Sequence, residues 1–242
     1  MCTYKQRIKR QLKQEGVDIR VEVLNCPSTN LYARSTLTPY DRVVVAEKQS
    51  AGMGKDGRKF ISDKGGVYMT LQLNRRLDPK DATKYVILSG MAVEKVLSGY
   101  EVKSELKWPN DVLVRKKKIC GILCEYACTP TANALILGIG INVENDISEI
   151  KDIATTLRMQ AVSATREEVI AKVVKQILTL ETEYYEKVLE SYKKISATIG
   201  KKIKVKDKIG VAVGLSEDGF LLADFDGVRE TITADDVEII AE

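Results

Sequence analysis

The chain has 242 residues, 44% hydrophobic and 30% charged, which is enough apolar material for one substantial core with a smaller one beside it. Its 38 Lys and Arg against 34 Asp and Glu leave a formal charge of +4, a mixed surface without the basic stripe of a dedicated nucleic-acid domain. No histidine is present, which excludes Ser-His-Asp hydrolysis and His-based zinc sites.

The longest apolar run, Ala134 to Ile141, falls far short of the roughly 18 to 20 residues of a membrane span. No apolar segment follows the basic start to make a secretory signal. Five cysteines, an odd number with no small-domain framework around them, suit a reducing compartment. The expectation is a cytoplasmic protein with free thiols.

In chain order, residues 3–15 read as a short amphipathic helix with Ile8 and Leu12 one turn apart, ending at Gly16. Residues 20–25 alternate as a strand, and Ser28-Thr29-Asn30 opens a second short helix after Pro27. Strands follow at 42–49, with a nearly continuous apolar centre, and at 67–73, which alternates. Between them, 50–66 is Gly-rich, charged and without periodicity, hence a long loop. From Pro79 to about Leu97 apolar residues recur at helical spacing, closed by Gly99. Strands at 102–107 and 112–114 flank the turn Trp108-Pro109-Asn110-Asp111. After Arg115-Lys116-Lys117-Lys118 come two buried strands, ICGILCEY and ALILGIGINV, separated by a Thr129-Pro130-Thr131 turn. Residues 165–195 form a long helix or helix pair.

Near residue 199 the pattern changes to four or five closely spaced strands, with turn signals at Asp207-Lys208, Glu217-Asp218-Gly219 and Asp226-Gly227. The expected class is α+β, a mainly antiparallel sheet flanked by helices. The chain divides into units 1–198 and 199–242, the second a small barrel.

Two stretches carry chemistry. Gly52, Gly54 and Gly57 interleave with Lys55, Arg58 and Lys59, so backbone amides can approach an anion while side chains neutralise it. The loop lacks the Gly-Lys-Ser/Thr of a Walker motif and does not join a strand to a helix. It reads either as a surface connection or, from its length, as a functional loop. The cationic run reads either as a solvated hairpin tip or as an anion site. Lys118 stands directly before an apolar strand and three residues before Gly121, where a cation can point over the sheet, with Asn110 and Asp111 facing the same cleft. Cys120, Cys124 and Cys128 are spaced by four, but on a strand Cys120 and Cys124 share a face as small hydrophobes rather than metal ligands. Trp108 is either a stacking platform or a core anchor beside Pro109.

These residues, with Gln49 followed by Ala51-Gly52, Lys107-Trp108-Pro109-Asn110-Asp111, Lys118 with Gly121-Ile122-Leu123 and Glu125, Gly138-Ile139-Gly140-Ile141-Asn142, and Ala154-Thr155-Thr156-Leu157, resemble biotin protein ligases in order and spacing. The resemblance runs from residue 20 onward. It implies a class II synthetase-like catalytic domain and an SH3-like C-terminal barrel. The implied activity is ATP-dependent formation of biotinyl-5'-AMP, then transfer of biotin to a lysine of a biotin carboxyl carrier protein. Biotin, ATP and Mg2+ are the implied small molecules, with no protein metal ligands assigned. By resemblance the catalytic residues are Lys118, Asp111 and Arg58. Ser28, Thr29 and Gln49 would hold the ureido ring, Asn142 the adenine or ribose, and Asn30 would belong to the same binding set. Gly52, Met53, Gly54, Lys55, Lys107, Trp108, Asn110 and Gly121 would complete the binding set. A homodimer is implied, with no membrane partner.

Residues 1–19 precede the first strand, where long members carry a helix-turn-helix domain, so no DNA binding is expected. Met53 and Lys55 stand where the family loop has arginines. Lysine keeps charge but loses the bidentate fork, so a looser grip on biotinyl-AMP and more labelling of non-carrier lysines are expected. The alternatives are a lipoate ligase or octanoyltransferase of the same fold, and a non-catalytic biotin-binding or nucleic-acid-binding module.

Overall fold

The structure is a computed structural model that describes residues 2–75, 77–78, 81–129, 133–233 and 237–240. Seven strands form the main sheet: β1 (Arg20–Val23), β2 (Arg42–Ala46), β3 (Val67–Leu73), β4 (Glu105–Lys107), β5 (Asp111–Val114), β6 (Lys117–Cys128) and β7 (Asn133–Ile141). Their order is β1-β2-β3-β7-β6-β5-β4. Every neighbouring pair is antiparallel except β1 with β2. The expected Pro130-Thr131 turn between β6 and β7, and Pro79 ahead of the third helix, lie outside the described residues.

Helices α1 (Tyr4–Gln14), α3 (Ala82–Ser98), α4 (Arg166–Leu180) and α5 (Tyr185–Lys194) bury their apolar stripes in one core with the sheet. Thr3 caps α1 reciprocally with Gln6, and Tyr4, Ile8 and Leu12 are buried. Gly16 then turns the chain in the left-handed region (φ +73°), which its missing Cβ permits. Gly99 does not play that part for α3: its φ is −64°, and Glu101, two residues on, takes the left-handed conformation (φ 61°).

Helix α2 (Thr29–Ser35) packs on the opposite sheet face, over β2, β3 and β7, around Ala33, Val44, Ala134 and Ile136. Strand β3 is covered on both faces. Val67, Met69, Leu71 and Leu73 enter the main core while Tyr68, Thr70 and Gln72 are covered too, so all seven residues are buried. At this end of the sheet Arg42, 2% exposed, donates to Glu22 (2.8 Å), Gln72 (2.9 Å) and the Thr36 carbonyl (2.6 Å). Complete pairing lets a buried guanidinium stay.

Strands β8 (Lys202–Val205), β9 (Lys208–Leu215), β10 (Leu221–Phe225), β11 (Val228–Ile232) and β12 (Glu238–Ile239) form a second sheet in the order β11-β10-β9-β8-β12. Among the described residues no β11 to β12 ladder closes it into a barrel. It joins the first unit at Trp108. That backbone N–H donates to Thr198 Oγ1 (3.0 Å), and the indole N–H donates to the Gly219 carbonyl (3.0 Å). Among the described residues no helix is long and apolar enough to cross a membrane.

Candidate active site

The cationic run divides by geometry. Arg115 and Lys116 form the β5–β6 hairpin tip with positive φ (50° and 65°), the twist two-residue hairpin loops favour, and both are exposed. Lys117 donates to the Lys151 carbonyl (2.7 Å). Lys118 alone turns into a cavity.

A bulge does this. Val112 pairs with Cys120 but Leu113 pairs with Lys118, so Ile119 is the extra residue. In a regular strand Lys118 and Gly121, three apart, would face opposite sides. Here the Lys118 ammonium lies 3.0 Å from where a Gly121 Cβ would stand. The ammonium meets Asp111 Oδ1 at 2.5 Å as an ion pair, and off the hydrogen-bond direction, since that buried oxygen has no directed donor. Ala154 lies alongside Lys118 in a backbone bridge, and the Lys118 backbone exchanges hydrogen bonds with Ile153 (2.8 Å) and Thr155 (2.9 Å).

Glycines make the cavity floor. Register sets Tyr68, Gly140, Gly121 and Asp111 in one row across β3, β7, β6 and β5, with Thr70, Gly138 and Leu123 in the row beside it. Glycine inside a strand marks a close approach. Phe60 lies over this floor, since a Cβ at Gly140 would stand 2.5 Å from its ring, and the ring packs edge-on against Tyr68. A Cβ at Gly138 would collide with the Asn30 amide.

At the other end a polar chain is fully engaged. Gln49 Oε1 accepts from the Thr29 backbone (2.7 Å) and hydroxyl (3.1 Å), while Gln49 Nε2 donates to Ser62 Oγ (3.1 Å). Thr70 donates to Asn30 Oδ1 (2.6 Å), and Asn30 Nδ2 donates to Glu125 (3.2 Å). Ser28 caps α2 by accepting from Leu31 N–H (3.4 Å), so its capping role is real and it also lines the cavity. Asn110 donates to the Ile122 carbonyl (2.8 Å), and Asn142 accepts from Asn145 (3.1 Å).

The glycine-rich segment is a small hairpin rather than a structureless loop. Met53 bridges Lys59, Gly54 N–H donates to the Arg58 carbonyl (2.7 Å), and a 3-10 turn over Lys55–Gly57 forms the tip, with Asp56 at φ 56°. Met53, Gly54, Lys55, Arg58 and Lys59 line the cavity, which encloses about 320 Å³.

Of the residues expected from sequence, Ser28, Thr29, Asn30, Gln49, Met53, Gly54, Lys55, Arg58, Asn110, Asp111, Lys118, Gly121 and Asn142 all reach the cavity wall. Three do not. Trp108 is 1% exposed in the core, anchored by Thr198 and Gly219. Lys107 stands one strand beyond Asp111, at the outer end of the glycine row. Gly52 packs beneath the hairpin, where a Cβ would meet Ser62 Oγ at 2.5 Å. Phe60, Ser62, Tyr68, Thr70, Ile150 and Ile153 escaped the sequence reading. Only the Gly138-x-Gly140 spacing signalled a floor.

Cys120 and Cys124 lie on one face of β6. Burial pushes both thiols up, Cys124 to about 12, away from the thiolate form that reacts. All five cysteines are free.

A cavity with a glycine floor, an ammonium–carboxylate pair at one end and an amide–hydroxyl chain at the other suits an elongated, partly polar molecule ending in an anion. The model of the biotin/lipoate A/B protein ligase family matches residues 21–142, half of the chain. The chain belongs to the biotin/lipoate A/B protein ligase family. It is 31% identical to the bifunctional ligase/repressor BirA of Bacillus subtilis over 81% of this chain and 66% of that protein, so it spans just under two thirds of that relative's length. It is 29% identical to the biotin–[acetyl-CoA-carboxylase] ligase of Mycobacterium tuberculosis over 81% of this chain and 77% of that one. The biotin protein ligase of Aquifex aeolicus in complex with biotin and ATP superposes with a TM-score of 0.79 at 29% identity, covering 91% of this family member and 99% of that chain.

Proposed function

We propose that this chain is an ATP-dependent biotin ligase: it forms biotinyl-5'-AMP from biotin and ATP with release of pyrophosphate, then passes biotin to a lysine of a biotin carboxyl carrier protein. The observation that carries the reading is the meeting of Lys118 and Asp111 with the Thr29–Gln49 chain on one cavity wall. A rigid ureido ring offers donors and an acceptor that reward buried polar partners at the Gln49 end. The acid end of the same molecule then falls toward Lys118.

A carboxylate is already a nucleophile toward an α-phosphate, so the first step needs positioning and cations rather than a histidine base. Lys118, at the bulge, is fixed where negative charge builds on the acid and phosphate. Asp111 holds that ammonium and orients an incoming carrier lysine. Arg58, Lys55 and Lys59 face the polyphosphate from the hairpin, and Asn142 the nucleoside. Among the described residues no group of three or more His, Cys, Asp or Glu side chains gathers around a metal position. Magnesium would be held by the ATP phosphates and, when bound, would supply charge neutralisation.

The unit boundary at 198/199, the barrel form of the second sheet, a homodimer and a cytoplasmic location complete the proposal. The test incubates the chain with ATP, Mg2+ and either biotin or lipoate and follows pyrophosphate. Release with biotin alone is expected. Release with lipoate alone, or with neither, refutes the reading.

A further inference from the structure

The hairpin carries one charge of the wrong sign for an anion site. Lys55, Arg58 and Lys59 stand on the cavity wall, and Asp56, which follows Lys55, is not among the lining residues. Its Oδ2 lies 4.0 Å from the Lys55 ammonium and 3.9 Å from the Arg58 guanidinium. Arg58 Nε also donates to the Lys55 carbonyl (3.4 Å), so the two cations are held at one tip with the carboxylate beside both. The Asp56 backbone is left-handed (φ 56°, ψ 31°), a conformation that Asn and Gly take as readily as Asp. The turn therefore explains a short side chain or none, and leaves the negative charge unexplained. At 58% exposure that charge is solvated and adds little to the stability of the fold. Its effect falls on what the two cations bind.

We propose that Asp56 is a charge selector at the phosphate end of the cavity: it weakens the hold on bare polyphosphate and thereby favours nucleotide whose phosphates already carry a divalent cation. The identity of the nucleotide rests on the ligase reading above. An anion that reaches Lys55 and Arg58 also comes within several ångströms of the Asp56 carboxylate. Like charges at that range, in a mouth open to water, cost roughly three- to fivefold in affinity per unit charge. Mg2+ on the phosphates cancels about two of their charges, so the penalty falls mainly on the free form. Lys55 and Arg58 attract both forms, and Asp56 sorts them.

Calorimetry at low ionic strength tests this on the full chain and on Asp56→Asn, which keeps the turn and removes the charge. The ligands are ATP in EDTA, ATP in excess Mg2+, and tripolyphosphate in EDTA as a probe without the nucleoside. Asp56→Asn is expected to bind ATP and tripolyphosphate in EDTA roughly three- to tenfold more tightly than the parent, and ATP in Mg2+ less than about twofold more tightly. Asp56→Gly should reproduce the gain, and Asp56→Glu should not. The gain should shrink as salt is added, because the Debye length falls to ~3 Å at about 1 M. Biotin affinity should not change. Unchanged or weaker binding in EDTA, a gain of equal size in Mg2+, a gain that does not shrink with salt, or no polyphosphate binding by either protein overturns the proposal. Weaker binding of ATP in Mg2+ also overturns it, by making Asp56 a metal ligand instead. Tripolyphosphate binding involves no biotin chemistry. The charge effect without biotin-dependent pyrophosphate release therefore refutes the ligase reading alone, and release without the charge effect refutes the selector alone.

Discussion

Lys118 owes its position to one extra residue, Ile119, and to a carboxylate 2.5 Å away. Its side chain is 34% exposed and packs in no core, so its loss is felt in chemistry rather than in folding. Lys118→Ala is expected to lower the rate of biotin-dependent pyrophosphate release ~10²- to 10³-fold, the usual cost of losing a preorganised transition-state contact. Circular dichroism should be unchanged. A rate within twofold of the parent would remove Lys118 from the proposed mechanism. Gly138 is the complementary case, because space rather than charge is its contribution. Gly138→Ala drives a methyl into the Asn30 amide. Asn30 then loses its Thr70 and Glu125 partners, and biotin affinity by calorimetry should fall roughly tenfold, about 1.4 kcal/mol.

At the scale of elements, two polar ties hold strands to helices. Arg42 connects β1, β2, β3 and the end of α2. Arg42→Met leaves the fully buried Gln72 without its donor, and the midpoint of urea unfolding should report a loss of about 3 kcal/mol. The second tie is Glu181, after α4. Burial raises its carboxyl, but hydrogen bonds from Arg75 (2.7 and 3.0 Å) and Tyr85 (2.6 Å) outweigh that and hold it below its ordinary value of 4.5. A depressed carboxylate adds stability above its unfolded pKa and loses it as pH falls through the folded one. Thermal midpoints measured from pH 7 to 3 should therefore drop below about pH 4.5, and less steeply in Glu181→Gln, which has no charge there to lose.

Across the whole molecule, Trp108 ties the small C-terminal sheet to the turn that carries Asn110 and Asp111. It is the chain's only tryptophan, and it sits two residues before Asn110, with its indole bonded to Gly219. Gly219 has φ +85°, and a Cβ there would meet Ile87 and lie 2.6 Å from the Tyr185 hydroxyl. Gly219→Ala is expected to shift Trp108 fluorescence toward longer wavelength as the turn lifts and water reaches the indole. An unshifted spectrum would mean that the two units do not depend on this contact. Lys84, paired with Asp218 at 3.3 Å, marks the rim of the same junction.

The sequence by itself determined the elements and the chemistry available to them. Periodicity located α1, α3 and the buried strands, the missing histidine excluded imidazole mechanisms, and Lys118 three residues before Gly121 marked the chemical end of the cavity. Those signals are local, set by side chains and spacings within a few residues. Tertiary structure alone decided which glycines form a floor, because Gly121, Gly138 and Gly140 align only through the register of β6 on β7. It also decided that Phe60, Ser62 and Thr70 belong to the site and that Trp108 belongs to the core. Register, bulges and burial depend on partners tens of residues away, and no short stretch of chain encodes which partner it will meet.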